Sequence, residues 1–265
     1  NSLNTAVGYL AGNDITTGTI NTIVGGQAAD AMTTGTSNVA LGFAALGAEV
    51  AGHRNVAVGT YALFNQSNSG STNAYNTAVG YGAGNDATTG VENTLIGGLA
   101  GDALTDADYN VAFGVAALGS DTKGSISVAL GNSALLRQNF TTATNSYNVA
   151  VGNSTGANIT TGVQNTLIGS DVGDALTDAD FNTAMGYLAL TSDTLGSKST
   201  AIGYAALQDQ NFTTATDSLN VAVGHLAGEN VTTGFLNTLV GGEVGKALTD
   251  GSACVAIGTN ALDAD

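Results

Sequence analysis

A five-residue phrase, Asn-(Thr/Val)-Ala-(Val/Ile/Leu)-Gly, recurs through the 265-residue chain and begins fifteen successive segments, here called coils. The intervals between phrases run 17, 17, 17 and 21 residues, and this set repeats with a period of 72. Self-similarity at a fixed period is typical of a solenoid, in which each repeat buries its apolar face against its neighbours. The sequence therefore predicts one elongated repeat domain over residues 1–265, with super-repeats at 4–75, 76–147 and 148–219 and a partial one at 220–265.

Composition favours strands and tight turns over helices. The chain has 38 glycines, no proline, no tryptophan and 10% charged residues. Helices need longer stretches without glycine, whereas short strands tolerate frequent turns. We therefore expect an all-β fold, a parallel β-solenoid of fifteen coils.

The charge balance is acidic, with 21 Asp and Glu against five Lys and Arg and a formal net charge of −16. Nucleic-acid affinity comes largely from basic side chains, so a nucleic-acid partner is not expected. No run of 18 apolar residues exists, and we expect no membrane insertion by this segment.

Side chains alternate between the two faces of the strand that the phrase predicts. The fourth position is apolar in every coil, as at Val7, Val24 and Ile96, and is predicted to form the core of each chain. The third position, Ala in most coils, lies on the opposite face. That face is predicted to contact partner subunits, because an uncovered apolar stripe of this length is rare in monomers.

The fifth position is glycine in every coil, which indicates either a positive φ or a close backbone approach. The first position is Asn in twelve coils, and stacked Asn side chains predict a hydrogen-bond ladder along the coils. The predicted structural glycines are Gly8, Gly25, Gly42, Gly59, Gly80, Gly97, Gly114, Gly131, Gly152, Gly169, Gly186, Gly203, Gly224, Gly241 and Gly258.

The segments "NTAVGYLAG", "NVAVGTYAL", "NTAVGYGAG" and "STAIGYAAL" carry a family resemblance. They resemble the head repeats of trimeric autotransporter adhesins, the YadA-like left-handed parallel β-roll, and similar arrays in phage tail fibres and surface-fibre proteins. The resemblance implies a homotrimeric fibre in which the Val/Ile row fills each chain's core and the small face forms the trimer contact. It also implies attachment at a cell surface or virion, and therefore an extracellular location.

Each 21-residue coil has four extra residues, which are predicted to bulge outward as a loop. Two of these loops share "QNFTTAT". An aromatic ring among polar residues suits a host glycan or protein receptor, and it also suits a plain loop anchored by Phe. The candidate receptor-binding residues are Phe64, Phe140, Thr141, Phe212 and Thr213.

Acidic residues recur in "GDALTDADY" and "GDALTDADF". Carboxylates converging from adjacent coils would supply oxygen ligands for Ca²⁺, the one cofactor that the sequence suggests. A solvated acidic edge that keeps the protein soluble is the favoured alternative. The candidate ligands are Asp102, Asp106, Asp108, Asp121, Asp174, Asp178, Asp180 and Asp193.

No catalytic constellation is recognisable, so an enzyme is not expected. The sequence predicts a structural or adhesive fibre segment, a trimeric β-roll shaft or head that presents receptor-binding loops. A self-assembling extracellular filament without a dedicated receptor is the alternative. Ice binding through the "TTG" triplets is a minor one, because those triplets skip most coils.

Overall fold

The computed structural model describes residues 2–263, and within that range it contains nineteen strands and no helix. The chain forms a parallel β-solenoid of about fifteen turns, as the repeat predicts. The strands are β1 (Thr5–Val7), β2 (Thr22–Val24), β3 (Val39–Leu41), β4 (Val56–Val58), β5 (Thr77–Val79), β6 (Thr94–Ile96), β7 (Val111–Phe113), β8 (Gly124–Ser125), β9 (Val128–Leu130), β10 (Thr144–Asn145), β11 (Val149–Val151), β12 (Thr166–Ile168), β13 (Thr183–Met185), β14 (Gly196–Ser197), β15 (Thr200–Ile202), β16 (Thr216–Asp217), β17 (Val221–Val223), β18 (Thr238–Val240) and β19 (Val255–Ile257).

The structure consists of two compact units. The first runs to Ser127 and includes Asn139–Asn145; the second comprises Val128–Gln138 and the chain from Ser146 onward. In the first unit β1 to β7 pair in parallel in sequence order, and β8 pairs with β10. In the second, β9, β11, β12, β13, β15, β17, β18 and β19 pair in that order, and β14 pairs with β16. Each pair of phrase strands aligns the same phrase positions, which keeps like side chains stacked on like.

The core row is the third position of the phrase, and the prediction that placed the fourth position there is wrong. Ala40, Ala78 and Ala112 are fully buried, whereas Val7 at the fourth position is 58% exposed and Phe113 is 55% exposed. A single narrow coil brings its opposite walls close together, so its interior accepts alanine more readily than a continuous row of valine. The larger fourth-position side chains therefore lie on the outer face of the sheet.

Large and small residues alternate across this narrow interior. Leu95 occupies the third position of its coil, and it is faced by Gly101 at the ninth position of the same coil and by Gly84 at the ninth position of the preceding coil. A Cβ added at Gly84 would lie 2.7 Å from Leu95 Cδ1, and one at Gly101 would lie 2.8 Å from Leu95 Cδ2. Where the third position is Ala, the ninth is often Leu, as at the fully buried Leu63. The 72-residue period is thus a packing pattern, since close-packed interiors tolerate little change of volume.

Both reasons for a glycine at the fifth position apply together. Gly97 has φ +137°, and a Cβ there would lie 2.3 Å from the carbonyl oxygen of Gly114 in the next coil. Any side chain would meet backbone that has no room to move.

The predicted asparagine ladder is confirmed. Asn21 Nδ2 donates to Gly35 O at 2.8 Å, which closes its own coil, and to Asn4 Oδ1 at 3.2 Å in the preceding one. Its Oδ1 accepts the Asn38 backbone N–H at 2.9 Å, which ties the coil to the next. These side chains are buried, so satisfying both ends of each amide avoids a desolvation penalty.

Candidate functional site: long coils, acidic residues and the outer sheet face

The three 21-residue coils, here called the first (55–75), second (127–147) and third (199–219) long coils, contain the predicted loops. Beneath the third lies Asp193, a fully buried carboxylate from the preceding coil. Its Oδ1 accepts the backbone N–H groups of Gly196 at 3.1 Å and Phe212 at 3.0 Å, and its Oδ2 accepts Gln210 Nε2. Burial raises the pKa of Asp193 above its ordinary value, and these hydrogen bonds oppose the rise.

Glu49 has the same role beneath the first long coil. Its Oε1 accepts the backbone N–H groups of Ala51, Gly52 and Asn68 at 3.0, 2.7 and 3.2 Å. Its Oε2 accepts Gln66 Nε2 at 2.9 Å and Asn68 Nδ2 at 3.0 Å. The carboxylate therefore binds the backbone of its own coil and of the long coil that follows.

Asp121 occupies the corresponding place beneath the second long coil and accepts the backbone N–H groups of Gly124 at 3.0 Å and Phe140 at 3.1 Å. Each long coil also contains a glutamine that extends this hydrogen-bond network to the next coil. Its Oε1 accepts a hydrogen bond from Nδ2 of the ladder asparagine there. These pairs are Gln66 with Asn76, Gln138 with Asn148, and Gln210 with Asn220.

Sequence analysis missed this network, although a signal for it exists. The twelfth position of the coil is apolar in the first coils of each super-repeat, as at Ile15 and Met32, then acidic, then Gln. A polar pair at an otherwise buried repeat position indicates a satisfied polar core.

The expectation that Phe140 and Phe212 project from their loops is wrong. Their exposed fractions are 6% and 7%. Each ring lies in the interior because the backbone N–H of the same residue donates to the buried aspartate. Thr141 and Thr213, the next residues, are exposed. The loops therefore present threonine hydroxyls rather than aromatic rings, and their receptor-binding role stays a prediction.

Phe64 precedes the irregular part of the first long coil and is half-buried. Its ring centroid lies 5.5 Å from that of Tyr61 with the ring planes 79° apart. It belongs to an aromatic cluster on the wall of the solenoid, not to the outer loop.

The structure does not bring the aspartates predicted to bind Ca²⁺ together as a group, and Ca²⁺ binding stays a prediction. Within residues 2–263, no group of three or more His, Cys, Asp or Glu side chains is placed to hold a metal ion. Asp106 lies 3.7 Å from Lys123 Nζ, and Asp108 Oδ1 accepts the Val91 backbone N–H at 2.8 Å. Asp121 lies in the interior, committed to backbone amides.

The second set of aspartates is likewise used for internal hydrogen bonds. Asp174 and Asp178 accept the hydroxyls of Thr191 and Thr161 from adjacent coils. Asp180 accepts a backbone amide of the preceding coil at 2.7 Å. Asp193 is buried with the partners described above. These carboxylates join one coil to the next individually.

Threonines at the thirteenth position also bond between coils. Thr16 Oγ1 donates to Thr33 O at 3.1 Å, and Thr88 Oγ1 donates to Thr105 O at 3.1 Å. The hydroxyls of Thr16 and Thr88 therefore bond along the stack, and ice binding by the triplets stays a prediction.

The outer face of the phrase strands is apolar and uncovered within one chain. The side chains of Val111, Phe113 and Val115 stand on this face of one strand and the turn after it, and all three are exposed. A sheet face of this kind usually contacts another surface. Other exposed members of this face are Val7, Tyr9, Leu41, Phe43, Tyr81, Met185, Tyr187, Tyr204, Val255 and Ile257.

In the part of the chain that the structure describes, no helix is long and apolar enough to cross a membrane. A comparison with protein-family models finds no match, and a comparison with curated proteins finds no significant one. The fold places the chain among parallel β-solenoids, and the resemblance to trimeric adhesin heads stays a prediction.

Proposed function

We propose that this chain is a structural and adhesive fibre segment, a left-handed β-roll with coils of 17, 17, 17 and 21 residues that assembles as a homotrimer outside the cell or on a virion. The observation that carries the proposal is the outer face of the phrase strands, where apolar side chains recur coil after coil with exposed fractions such as 55% for Phe113. A face of this length is stabilised when further chains cover it.

The inversion of the two faces changes the proposed interface without removing it. The small third-position side chains fill the interior of the coil. The proposed contact surface between chains therefore consists of the fourth-position side chains and the aromatic residues two positions further on. Each apolar Å² that another chain covers contributes about 25 cal/mol, and even a few such side chains per coil outweigh the entropy of association when summed over many coils.

Light scattering coupled to size-exclusion chromatography tests the assembly. We expect a mass three times that of one chain, and a mass that grows continuously with concentration would indicate the filament instead. Phe113→Glu places a charge in the proposed interface and should give a folded monomer. Thr89→Glu, at an exposed position away from this face, is the matched control and should leave the assembly unchanged. A stable wild-type monomer contradicts the proposal.

The adhesive part of the proposal rests on the loops of the second and third long coils. Thr141 and Thr213 are exposed and follow a buried phenylalanine, so a polar ligand would meet hydroxyls on an anchored backbone. Equivalent loops on several coils and several chains would combine weak contacts by avidity. We expect wild-type protein to bind a glycan or a cell surface and Thr141→Ala/Thr213→Ala to bind it less well. Equal binding by both proteins would exclude these loops as the contact.

A further inference from the structure

Three aromatic rings form a cleft in the first unit, between the first long coil and the two coils after it. The ring centroid of Tyr61 lies 5.5 Å from that of Phe64 and 6.4 Å from that of Tyr81, with both pairs of planes 79° apart. Leu99 and Asp102 complete the lining, and the cavity volume is about 330 Å³. Rings at steep angles to one another form the walls of a cage rather than a flat stack.

Negative charge is concentrated beside these rings. Asn65 Nδ2 and Asn85 Nδ2 donate to Asp86 Oδ1 at 3.1 and 2.8 Å, which fixes that carboxylate near the cleft. Among residues 2–263 neither Asp86 nor Asp102 forms an ion pair with Lys or Arg. Burial raises the pKa of Asp102, and the nearby charge of Asp86 raises it further. The repulsion between these two carboxylates favours a group that brings a positive charge to Asp102.

The chain provides an internal precedent two super-repeats further on. There Lys246 stands at the repeat position of Asp102, with its Nζ 3.8 Å from Glu229 Oε2 and 3.4 Å from Glu243 Oε2. Ala205 and Gln208 replace Tyr61 and Phe64 in that region. The fold therefore accommodates a cation at this place in the coil, although the two carboxylates that hold it stand where the cleft has Asn85 and Leu99.

We propose that the cleft of Tyr61, Phe64, Tyr81 and Asp102 binds an organic cation, an alkylammonium group carried by a small molecule or by a lysine side chain. Aromatic faces attract such cations through their quadrupoles, and the adjacent carboxylates add charge attraction. A neutral glycan could stack on the rings and donate hydroxyls to the carboxylates, but it would not neutralise their charge. The proposal does not depend on fibre function.

Isothermal titration calorimetry of the full chain tests the site with three probes at matched ionic strength. Choline carries a methylated ammonium, Nα-acetyl-lysinamide carries the lysine side chain, and 3,3-dimethylbutan-1-ol is the neutral carbon isostere of choline. We expect at least one cation to bind and the alcohol to bind at least about tenfold more weakly. The tighter of the two cations identifies the source of the ammonium group.

Two variants locate the binding. Tyr81→Ala removes a ring that is 61% exposed, and Asp102→Asn removes the charge while keeping the shape; each should weaken cation binding roughly fivefold to tenfold. Asn153→Ala, at the repeat position of Tyr81 one super-repeat further on, is the matched control and should bind as wild type does. Unchanged melting curves show that the variants fold.

Absence of binding by both cations, equal binding of the alcohol, or full affinity in both cleft variants would overturn the proposal. Preferential binding of a neutral methyl glycoside would replace it with a glycan site. Tyr81 also lies on the face proposed for the trimer contact, so light scattering on the same samples must show that each variant keeps the wild-type mass; Asp102→Asn, outside the phrase strand, separates loss of this site from loss of the proposed trimer.

Discussion

The first and third long coils are anchored in the same way but differ in the residues around the anchor. Both extend their coil by four residues relative to the 17-residue coils, and both rest on a buried carboxylate that binds a glutamine and backbone amides. Around this anchor the two coils differ. The loop of the third contributes β16, which pairs with β14 of the preceding coil, whereas in the first a single parallel bridge joins Asn73 to His53 of the preceding coil. The anchor is therefore the common requirement, and the pairing above it varies.

The ladder position shows why the two coils diverge. In a 17-residue coil the ladder asparagine donates to a carbonyl fourteen residues later, as Asn21 does to Gly35. The longer loop displaces that carbonyl. Within residues 2–263, Asn55 Nδ2 in the first long coil is the one buried side-chain nitrogen or oxygen without a hydrogen-bond partner.

The third long coil avoids this cost. Ser199 replaces the ladder asparagine there, and its hydroxyl bonds with Ser218 and with Gln210. The residue corresponding to Ser218 in the first long coil is Ala74, which is fully buried and has no polar side-chain atom. The comparison teaches that a serine pair satisfies this position in the third long coil, whereas the asparagine that serves a short coil leaves an unpaired amide in the first.

Removing the buried acid should have the largest effect and should break both coils. We expect Asp193→Ala and Glu49→Ala each to lower the free energy of unfolding by about 3 kcal/mol or more, because several buried donors lose their acceptor at once. The loss should be greater for Glu49, which accepts five hydrogen bonds. Urea denaturation measures both, with the exposed Asp250→Ala as control. A loss below about 1 kcal/mol at either acid would remove the anchor from the comparison.

Exchanging the ladder residues between the two coils should have the next largest effect. Ser199→Asn/Ser218→Ala recreates the arrangement of the first long coil and should cost about 1–3 kcal/mol, the usual penalty for an unpaired buried amide. Asn55→Ser/Ala74→Ser makes the reverse change and should leave stability equal or higher. The same denaturation experiment checks both. If both exchanges destabilise equally, local packing rather than hydrogen bonding distinguishes the coils.

The sequence predicted the architecture far better than the chemistry of these coils. A strict repeat fixes strand order and parallel register, because each phrase can pair only with its copies on either side. It did not reveal which face lies inside, since Ala at position three and Val at position four both read as buried. That choice depends on the width of the coil, which is set by how Leu95 fits against Gly84 and Gly101.

The burial of Asp193 and Phe212 was missed for a related physical reason. Asp193 and Phe212 stand in polar, loop-like sequence, and their burial follows from a hydrogen bond between residues 19 positions apart. Acidic residues repeated along a sequence look like a metal site, whereas here each carboxylate finds its own amide or hydroxyl. The aromatic cleft also escaped notice, because its rings come from different positions of different coils.

A pH titration sharpens the comparison by isolating the acid of the third long coil. The folded state raises the pKa of Asp193, so its stabilising contribution is greatest below the unfolded pKa and is lost as pH rises through the folded value. We expect the stability of wild type relative to Asp193→Asn to increase as pH falls from neutrality toward 4, the region of the unfolded carboxyl. Asp250→Asn, at an exposed site, is the control and should show a flatter difference. A relative stability that stays constant or declines on acidification would contradict the assigned direction.

The outermost contacts of the two coils should give the smallest effects and differ in their response to salt. Lys198 in the third super-repeat pairs with Asp217, both side chains being largely exposed. At the same repeat position in the first, Arg54 donates to Tyr75 Oη at 2.8 Å and lies 5.3 Å from the Tyr75 ring centroid. Lys198→Ala should cost less than about 1 kcal/mol and lose even that in about 1 M salt, because an exposed ion pair is screened.

Arg54→Ala should cost a similar amount that persists in salt, because the guanidinium packs its apolar surface and its charge against the ring. Thermal melting of both variants at low and high salt measures the difference. If the two losses fall together in salt, the Arg54 contact is also mainly charge attraction, and the two loops then differ only beneath their surface, at the serine pair and the asparagine.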